Sequence, residues 1–433
     1  MRNVGGARRP AASHHGSLRI ALFTNNYLPR VSGVAVAVDF LERALRAAGH
    51  ETLVVAPDYA VAADRQEPRV RRVRSIPLRR FGAAIPLPAF DSPLRAVTEF
   101  EPDLVHAHHP MLLGEAAADA ADALGLPLVY TFHTLYETFL PRFGLVARPA
   151  TRLIRRFVMR FVERCDFVVA PTEPVRLHLE RDLGVAVPTA TAPTGLDRRR
   201  FDGDRARTRC DARRELGVDG RRPLLVWSGR VSEAKDPRLA IGALAALVAR
   251  GHDAGLVFLG GGPALGGLAR HARALGVGER VRFAGFVDQE RLPALLAAGD
   301  VFLFTSASDT QGIVGYEAWA AGLPIVAVRS MAGRAVLEHG GNGLHADADA
   351  GGFADAVETL LARPELGAAP FPWDRFGPSA LAEQWRRVYE FAVGRGHRQP
   401  ADGRRRAARP ALAPPVPRGL SLAEADVEPA DRR

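Results

Sequence analysis

Short, wholly apolar runs alternate with amphipathic stretches along most of the chain. The first series of runs is LRIALFT (18–24), TLVVAP (52–57), DLVHAH (103–108), LPLVYTF (126–132) and DFVVAPT (166–172). Between them lie VAVAVDFLERALRAAGH (34–50) and segments near 111–124 and 148–164, whose apolar positions recur at helical spacing. A second series follows: PLLVWSG (223–229), GLVFLGG (255–261), RVRFAGF (280–286), DVFLFTS (300–306) and LPIVAV (323–328), again with helical segments between. Strands apolar on both sides, separated by helices, predict parallel sheets covered on both faces. Two such series predict two doubly wound Rossmann-like α/β domains. The periodicity breaks around 192–215, where Gly, Arg and Asp take over, and PSALAEQWRRVYEFAV (378–393) predicts a last amphipathic helix. The implied organisation is a domain over 18–200, a second over 201–372, a terminal helix at 373–394 and tails at 1–17 and 395–433.

The segment 148–164 differs from the other helices. Arg148, Arg152, Arg156, Arg160 and Arg164 recur every fourth position, opposite Leu153, Ile154, Phe157, Val158 and Phe161. At about 100° per residue these form a basic face and an apolar face. A surface helix packed on the sheet gives this pattern, and so does a helix lying on lipid head groups.

Length supports the two-domain reading, since 433 residues exceed what one core usually organises. A hydrophobic fraction of 47% and a charged fraction of 24% are those of a soluble globular protein. No apolar run approaches the roughly 18 residues that span a bilayer, and MRNVGGARRPAASHHGS has no apolar core of a secretory signal. Two cysteines, Cys165 and Cys210, build neither a disulfide framework nor a four-ligand zinc site. A cytoplasmic protein is the expectation.

The net charge of +10 suggests nucleic acid until it is divided along the chain. Residues 1–17 hold three Arg and no acid, and residues 395–433 hold nine Arg against five acids, leaving only +3 for residues 18–394. The basicity thus belongs to Pro, Ala and Arg-rich tails of disorder-prone composition. No nucleic-acid-binding motif accompanies it. Attraction of the tails to an anionic membrane is the other reading.

Candidate chemistry sits where runs end. In NNYLPRVSGVAVAV (25–38), Gly33 opens a helix whose free amides favour an anion. In SGRVSEAKD (228–236), Arg230 and Lys235 follow a strand and precede a helix, one a planar fork and the other a compact charge. Lys235 is the only lysine among 58 basic residues, so a chain that otherwise writes its charge as Arg keeps one ammonium here. Two cations fit a diphosphate, although two solvated surface cations give the same pattern. In SASDTQGIVGYEAWAAGLPIVA (306–327), Asp309 precedes a helix starting near Gly312, and Glu317 lies on it. Carboxylates suit sugar hydroxyls, the amides around Gln311 and Gly312 suit phosphates, and an N-capping Asp with an ordinary helix Glu explains the spacing equally well. His133 leaves a strand in YTFHTLYETF (130–139), as a ligand to substrate or a structural histidine. HAHHP places His106, His108 and His109 together, but without a carboxylate at metal-ligand spacing they read as strand-end packing. FLGGGPALGGL (258–268) lacks the G-x-G-x-x-G order of a dinucleotide loop. Asp347 and Asp349 in ADADAG fall in a loop beyond this region.

YLPRVSGVA, TFHTLYE, CDFVVAPT, PTGLD, SGRVSEAKD, GGGP, FAGFV and TQGIVGYEAWAAGLPIVA follow one another over residues 18–394. In that order they resemble the retaining, nucleotide-sugar-dependent glycosyltransferases of family four, with the GT-B fold of two Rossmann-like domains facing across a cleft. HTLYE and TQG are most similar to the branch containing diacylglycerol glucosyltransferases. The resemblance implies an acceptor-side first domain and a donor-binding second domain. Gly33, Arg230, Lys235, Gln311 and Gly312 would surround the donor diphosphate. Glu317 matches the second acid of the family's E-x7-E motif, which binds ribose. Asp309 stands where that motif has its first Glu, one methylene shorter, toward the transferred sugar. His133 matches the active-site histidine. The implied catalytic set is His133, Arg230, Lys235 and Asp309, acting by front-face displacement with no metal and no cofactor beyond the nucleotide-sugar donor. The implied partners are a hexose donor, UDP-linked or GDP-linked, and a lipid or small-molecule hydroxyl acceptor. A sugar-nucleotide epimerase and a non-catalytic donor-binding protein are the alternatives.

Overall fold

The computed structural model describes residues 16–59, 68–78, 83–136, 147–218, 220, 222–338 and 340–395. Most of both predicted tails, residues 1–15 and 396–433, lies outside the described residues, as does Glu137 of the HTLYE motif.

The first apolar series forms β1 (Arg19–Phe23), β2 (Glu51–Pro57), β6 (Leu104–Ala107), β7 (Leu128–Thr131) and β8 (Phe167–Ala170); β3 (Val70–Val73) and β9 (Thr189–Thr191) extend the sheet, and the short antiparallel hairpin β4 (Ser75–Leu78) and β5 (Ala83–Pro86) stands apart from it. The seven strands pair in the order β3-β2-β1-β6-β7-β8-β9, each neighbouring pair parallel. The second series forms β10 (Leu224–Ser228), β11 (Gly255–Leu259), β12 (Val281–Phe283), β13 (Val301–Phe304) and β14 (Ile325–Val328), and with β15 (Gly343–Ala346) they are ordered β12-β11-β10-β13-β14-β15, parallel throughout. Two doubly wound α/β domains therefore stand as expected. Five strands had no signature in the apolar pattern: β3 reads VRRV and sits at a sheet edge, the two hairpin strands are short and partly exposed, β9 has only three residues, and β15 reads GLHA at an edge of the second sheet.

The central strands are almost wholly apolar because both sheet faces are covered. Ala21 and Phe23 of β1 point into one core, and Ile20 and Leu22 into the core on the opposite face. In β10, Leu225 and Trp227 face one core while Leu224 and Val226 face the other. A polar side chain on either face would be desolvated without a partner. Ser32 caps the helix Gly33–Ala47 by accepting the amide of Ala35 at 3.2 Å. The helix Pro378–Gly394 returns from the end of the second domain to the first sheet. Its Leu381, Trp385, Val388 and Tyr389 share a core with Ile20, Leu22, Val38 and Leu41.

The arginine-faced helix, Ala147–Arg164, packs only partly. Val158 and Phe161 are buried, but Leu153 is 70% exposed and Phe157 40% exposed, so the apolar face is not covered along its length. Arg164 leaves the basic face and bonds Glu115, Asp119 and Asp122 at 2.6, 2.7 and 2.9 Å. Arg152, Arg156 and Arg160 stay exposed.

Both strand orders reverse at the first strand of their sheet, where neighbouring crossovers go to opposite sides and leave a crevice at the carboxyl ends. The two crevices open onto one cleft of about 1280 Å³.

Candidate functional site

Gly33, His133, Arg230, Lys235, Asp309, Gln311, Gly312 and Glu317 all line this cleft. From the first domain, Gly33 is the first residue of its helix, and a Cβ there would meet nothing within 4 Å. From the second, residues 233–235 form a 3-10 turn between β10 and the helix Pro237–Ala249. The Trp227 indole donates to Thr305 Oγ1 at 2.9 Å, and that hydroxyl donates to the Lys235 carbonyl at 2.7 Å. A core tryptophan thereby fixes where the lone lysine leaves the backbone.

The Lys235 ammonium forms an ion pair with Asp309 Oδ1 across the two loops, while Asp309 Oδ2 has no protein partner. Sequence spacing put each residue at the cleft but not in contact. Arg230 is exposed and makes no ion pair with a described residue. The glycines of GGGP have a packing reason rather than a dinucleotide one. A Cβ at Gly260 would lie 1.9 Å from the carbonyl oxygen of Gly229, so only glycine lets the two loops touch.

Gly312 takes a left-handed φ of 71° and turns the chain into the helix Ile313–Ala320, which no side chain caps. Its first amides are thus available to an anion. Glu317 on that helix is only 2% exposed. Burial pushes its carboxyl up to about 7, opposed by the Arg200 guanidinium, whose two terminal nitrogens each lie 3.4 Å from Glu317 Oε1. Arg200 also donates to the carbonyl of Gln289. It comes from the connector between the domains, one of three consecutive arginines that nothing local distinguishes.

His133 stands opposite the loops of the second domain, with its backbone carbonyl accepting from Thr310 Oγ1 at 2.9 Å. Its Nε2 meets His108 Nδ1 at 2.9 Å. His106 is held by the Tyr389 hydroxyl at 2.9 Å and by Thr131 Oγ1 at 2.8 Å, and His109 Nδ1 accepts the amide of Asn25 at 3.1 Å. Burial lowers all four rings, His133 to about 3 and His109 to about 4, so each is neutral at ordinary pH. Among the described residues no group of three His, Cys, Asp or Glu side chains is placed to hold a metal.

The Gln311 side chain turns away from the cleft centre. Its Oε1 accepts the Thr194 amide and its Nε2 donates to the Thr194 carbonyl, both at 2.9 Å, while Thr172 Oγ1 donates to the Thr310 carbonyl at 3.0 Å. The loop before the helix Ile313–Ala320 is therefore stitched to the first domain, and only the backbone of Gln311 is open to a ligand. Phe286, from the FAGFV motif, and Gln289, which the sequence pattern did not mark, complete the wall.

The profile of Glycosyltransferase Family 4 matches residues 31–200, and that of Glycosyl transferases group 1 matches residues 209–369. The alpha-monoglucosyldiacylglycerol synthase of Streptococcus pneumoniae is 29% identical over 320 residues, covering 72% of this chain and 71% of that protein. The GDP-mannose-dependent alpha-(1-6)-phosphatidylinositol dimannoside mannosyltransferase of Mycobacterium tuberculosis is 30% identical over 383 residues, covering 84% and 95%. In fold, the sucrose-phosphate synthase of Thermosynechococcus elongatus superposes with a TM-score of 0.70 at 21% identity, over 88% of this chain and all of that one. The two profiles divide the chain where its two sheets divide, and with these relatives they show that the protein belongs to glycosyltransferase family 4, as a sugar-transferring enzyme of the GT-B architecture.

Proposed function

We propose that this glycosyltransferase is a retaining, metal-independent hexosyltransferase that moves a hexose from a UDP-linked donor to a hydroxyl of a membrane glycerolipid. The observation that carries the donor half is the convergence of Arg230 and Lys235 on the uncapped helix start at Gly312, with Glu317 buried beside it. Two cations and a helix N-terminus neutralise a diphosphate, and a buried carboxylate accepts two ribose hydroxyls. Phe286, 67% exposed on the cleft wall, offers an aromatic face to the base. When the diphosphate arrives, Lys235 exchanges its Asp309 partner for phosphate, and Asp309 becomes free to accept a hydroxyl of the sugar.

Transfer then proceeds on one face of the sugar. The bond from the anomeric carbon to the leaving phosphate lengthens while the acceptor oxygen approaches from the same side. The departing phosphate oxygen takes the acceptor's proton. Charge on that phosphate is what Arg230, Lys235 and the helix amides stabilise, the largest contribution such a site can make. A glycerolipid acceptor is supported by the similarity to the streptococcal synthase and by the exposed Leu153 and Phe157 beside Arg152, Arg156 and Arg160, a surface suited to the cytoplasmic face of a membrane. A GDP-mannose donor is the second reading, favoured by the similarity to GDP-mannose-dependent relatives.

A thermal-shift panel of nucleoside diphosphates and nucleotide sugars tests the donor, since a ligand of the folded state raises apparent stability. With the donor identified, Lys235→Ala and Glu317→Ala should each remain folded and lose at least about 100-fold in transfer rate. Near-parental turnover in either variant overturns the assignment.

A further inference from the structure

The His108–His133 contact has a geometry that decides which nitrogen of His133 carries hydrogen. The ring centroids are 5.2 Å apart with planes inclined by 29°. With 2.9 Å between His108 Nδ1 and His133 Nε2, that separation means the rings meet edge to edge, joined by an in-plane hydrogen bond rather than stacked. Both imidazoles are neutral, so one proton serves the bond and one ring donates.

The rest of His108 says which ring. His108 is 2% exposed, and its Nε2 is buried with no hydrogen-bond partner in the protein, against a cavity of about 20 Å³ walled largely by Phe40, Leu41, Leu381 and Trp385. If His133 donated to His108 Nδ1, the hydrogen of His108 would sit on Nε2 as a buried donor without an acceptor. Orphaned buried N–H groups are the rarest kind of unsatisfied polar group. If His108 Nδ1 donates instead, Nε2 is a bare nitrogen in an apolar wall, and no hydrogen is stranded. The ring is held in that pose by its neighbour: His106 packs against it, tilted by 38° at 4.1 Å between centroids, and is itself fixed by Thr131 and by Tyr389 of the returning C-terminal helix. On the other side, His133 Nδ1 has no protein partner and is not among the buried unsatisfied atoms, and His133 lines the cleft.

We propose that His108 is a positioning residue that donates to His133 Nε2 and holds His133 as its Nδ1–H tautomer, so that His133 presents a hydrogen-bond donor, not a base, to the bound sugar or acceptor. The consequence rests on the sugar-transfer reading. A donor at Nδ1 cannot take the acceptor's proton, which leaves that role to the departing phosphate oxygen. It orients an oxygen of the substrate instead.

Nitrogen-15 NMR of the histidine-labelled full chain reads the tautomer without any substrate, with the His133 signals identified by their loss in His133→Gln. In the parent, the hydrogen of His133 should reside on Nδ1. His108→Leu should abolish that preference. His108→Asn, whose amide nitrogen falls near the original Nδ1, should keep it. In the transfer assay His108→Leu should lower kcat about tenfold or more, the effect of losing one orienting hydrogen bond, with donor KM nearly unchanged. His108→Asn should recover most of the rate. A parent His133 protonated on Nε2, or a tautomer indifferent to His108→Leu, overturns the proposal even if sugar transfer is confirmed. Equal rates for the Leu and Asn variants, at equal melting temperature, overturn it as well. Should the donor assay fail altogether, the spectra still decide the tautomer.

Discussion

A carboxylate accepts a pair of hydroxyls, as the proposed ribose contact requires, only when it is ionised, and burial opposes ionisation of Glu317. Burial raises it to about 7, and Arg200 restrains the rise. The ionised fraction therefore grows as pH climbs through 7, and affinity for the nucleotide sugar should increase up to about tenfold between pH 6 and pH 8. Stability runs in the opposite sense: between the ordinary carboxylate range and about 7 the folded state keeps a proton that the unfolded chain releases, so this group's contribution is lost as pH rises across that window. Arg200→Met removes the opposing charge and should move the binding midpoint to higher pH in calorimetric titrations. An unmoved midpoint would discard the pairing. Lys235 was visible in the sequence because one ammonium among many guanidinium groups is conspicuous. Its service to Asp309 was not, and that service suits lysine: a flexible point charge can leave a carboxylate for a phosphate more readily than a bidentate fork.

At the scale of elements, the strand-end loops do the positioning and one helix faces outward. The loops of β10 and β11 touch backbone to backbone through Gly260, which sets the turn that carries Lys235. The helix Ala147–Arg164 is amphipathic by sequence, yet packing takes only part of its apolar face and ion pairs take Arg164. What stays exposed, Arg152, Arg156 and Arg160 with Leu153 and Phe157, is the surface that the proposed lipid acceptor assigns to a membrane. Replacing the three arginines by alanine should remove about 3 kcal/mol of attraction to anionic vesicles, roughly a hundredfold in partition. Sedimentation with anionic and with neutral vesicles measures it, and equal binding of parent and triple variant would refute the membrane role. Periodicity located this helix correctly but does not say how much of a face its neighbours cover.

Across the whole molecule, the two domains meet through Thr172, His133 and Thr194 on one side and Thr310 and Gln311 on the other. Gln311 makes two of these bonds. At about 1 kcal/mol each, Gln311→Leu should shift the balance of closed against open forms by up to roughly 30-fold. Small-angle scattering should then show a more open ligand-free protein, and transfer should slow while nucleotide binding to the second domain persists; unchanged scattering and rate would show that the clamp is idle. The helix Pro378–Gly394 joins the halves a second time, ending the chain on the first sheet and buttressing His106 through Tyr389. By itself the sequence determined the two parallel α/β sheets and the strand-end loops that carry Gly33, His133, Arg230, Lys235, Asp309, Gln311, Gly312 and Glu317. Buried strands must be apolar on both faces, helices must repeat at their own period, and both demands are local. Only the tertiary structure decided the pairings: Lys235 with Asp309, Arg200 with Glu317, His108 with His133, Gln311 with Thr194. Each joins residues far apart in sequence whose meeting depends on how sheets, connector and cleft are arranged, and no local pattern of residues encodes that arrangement.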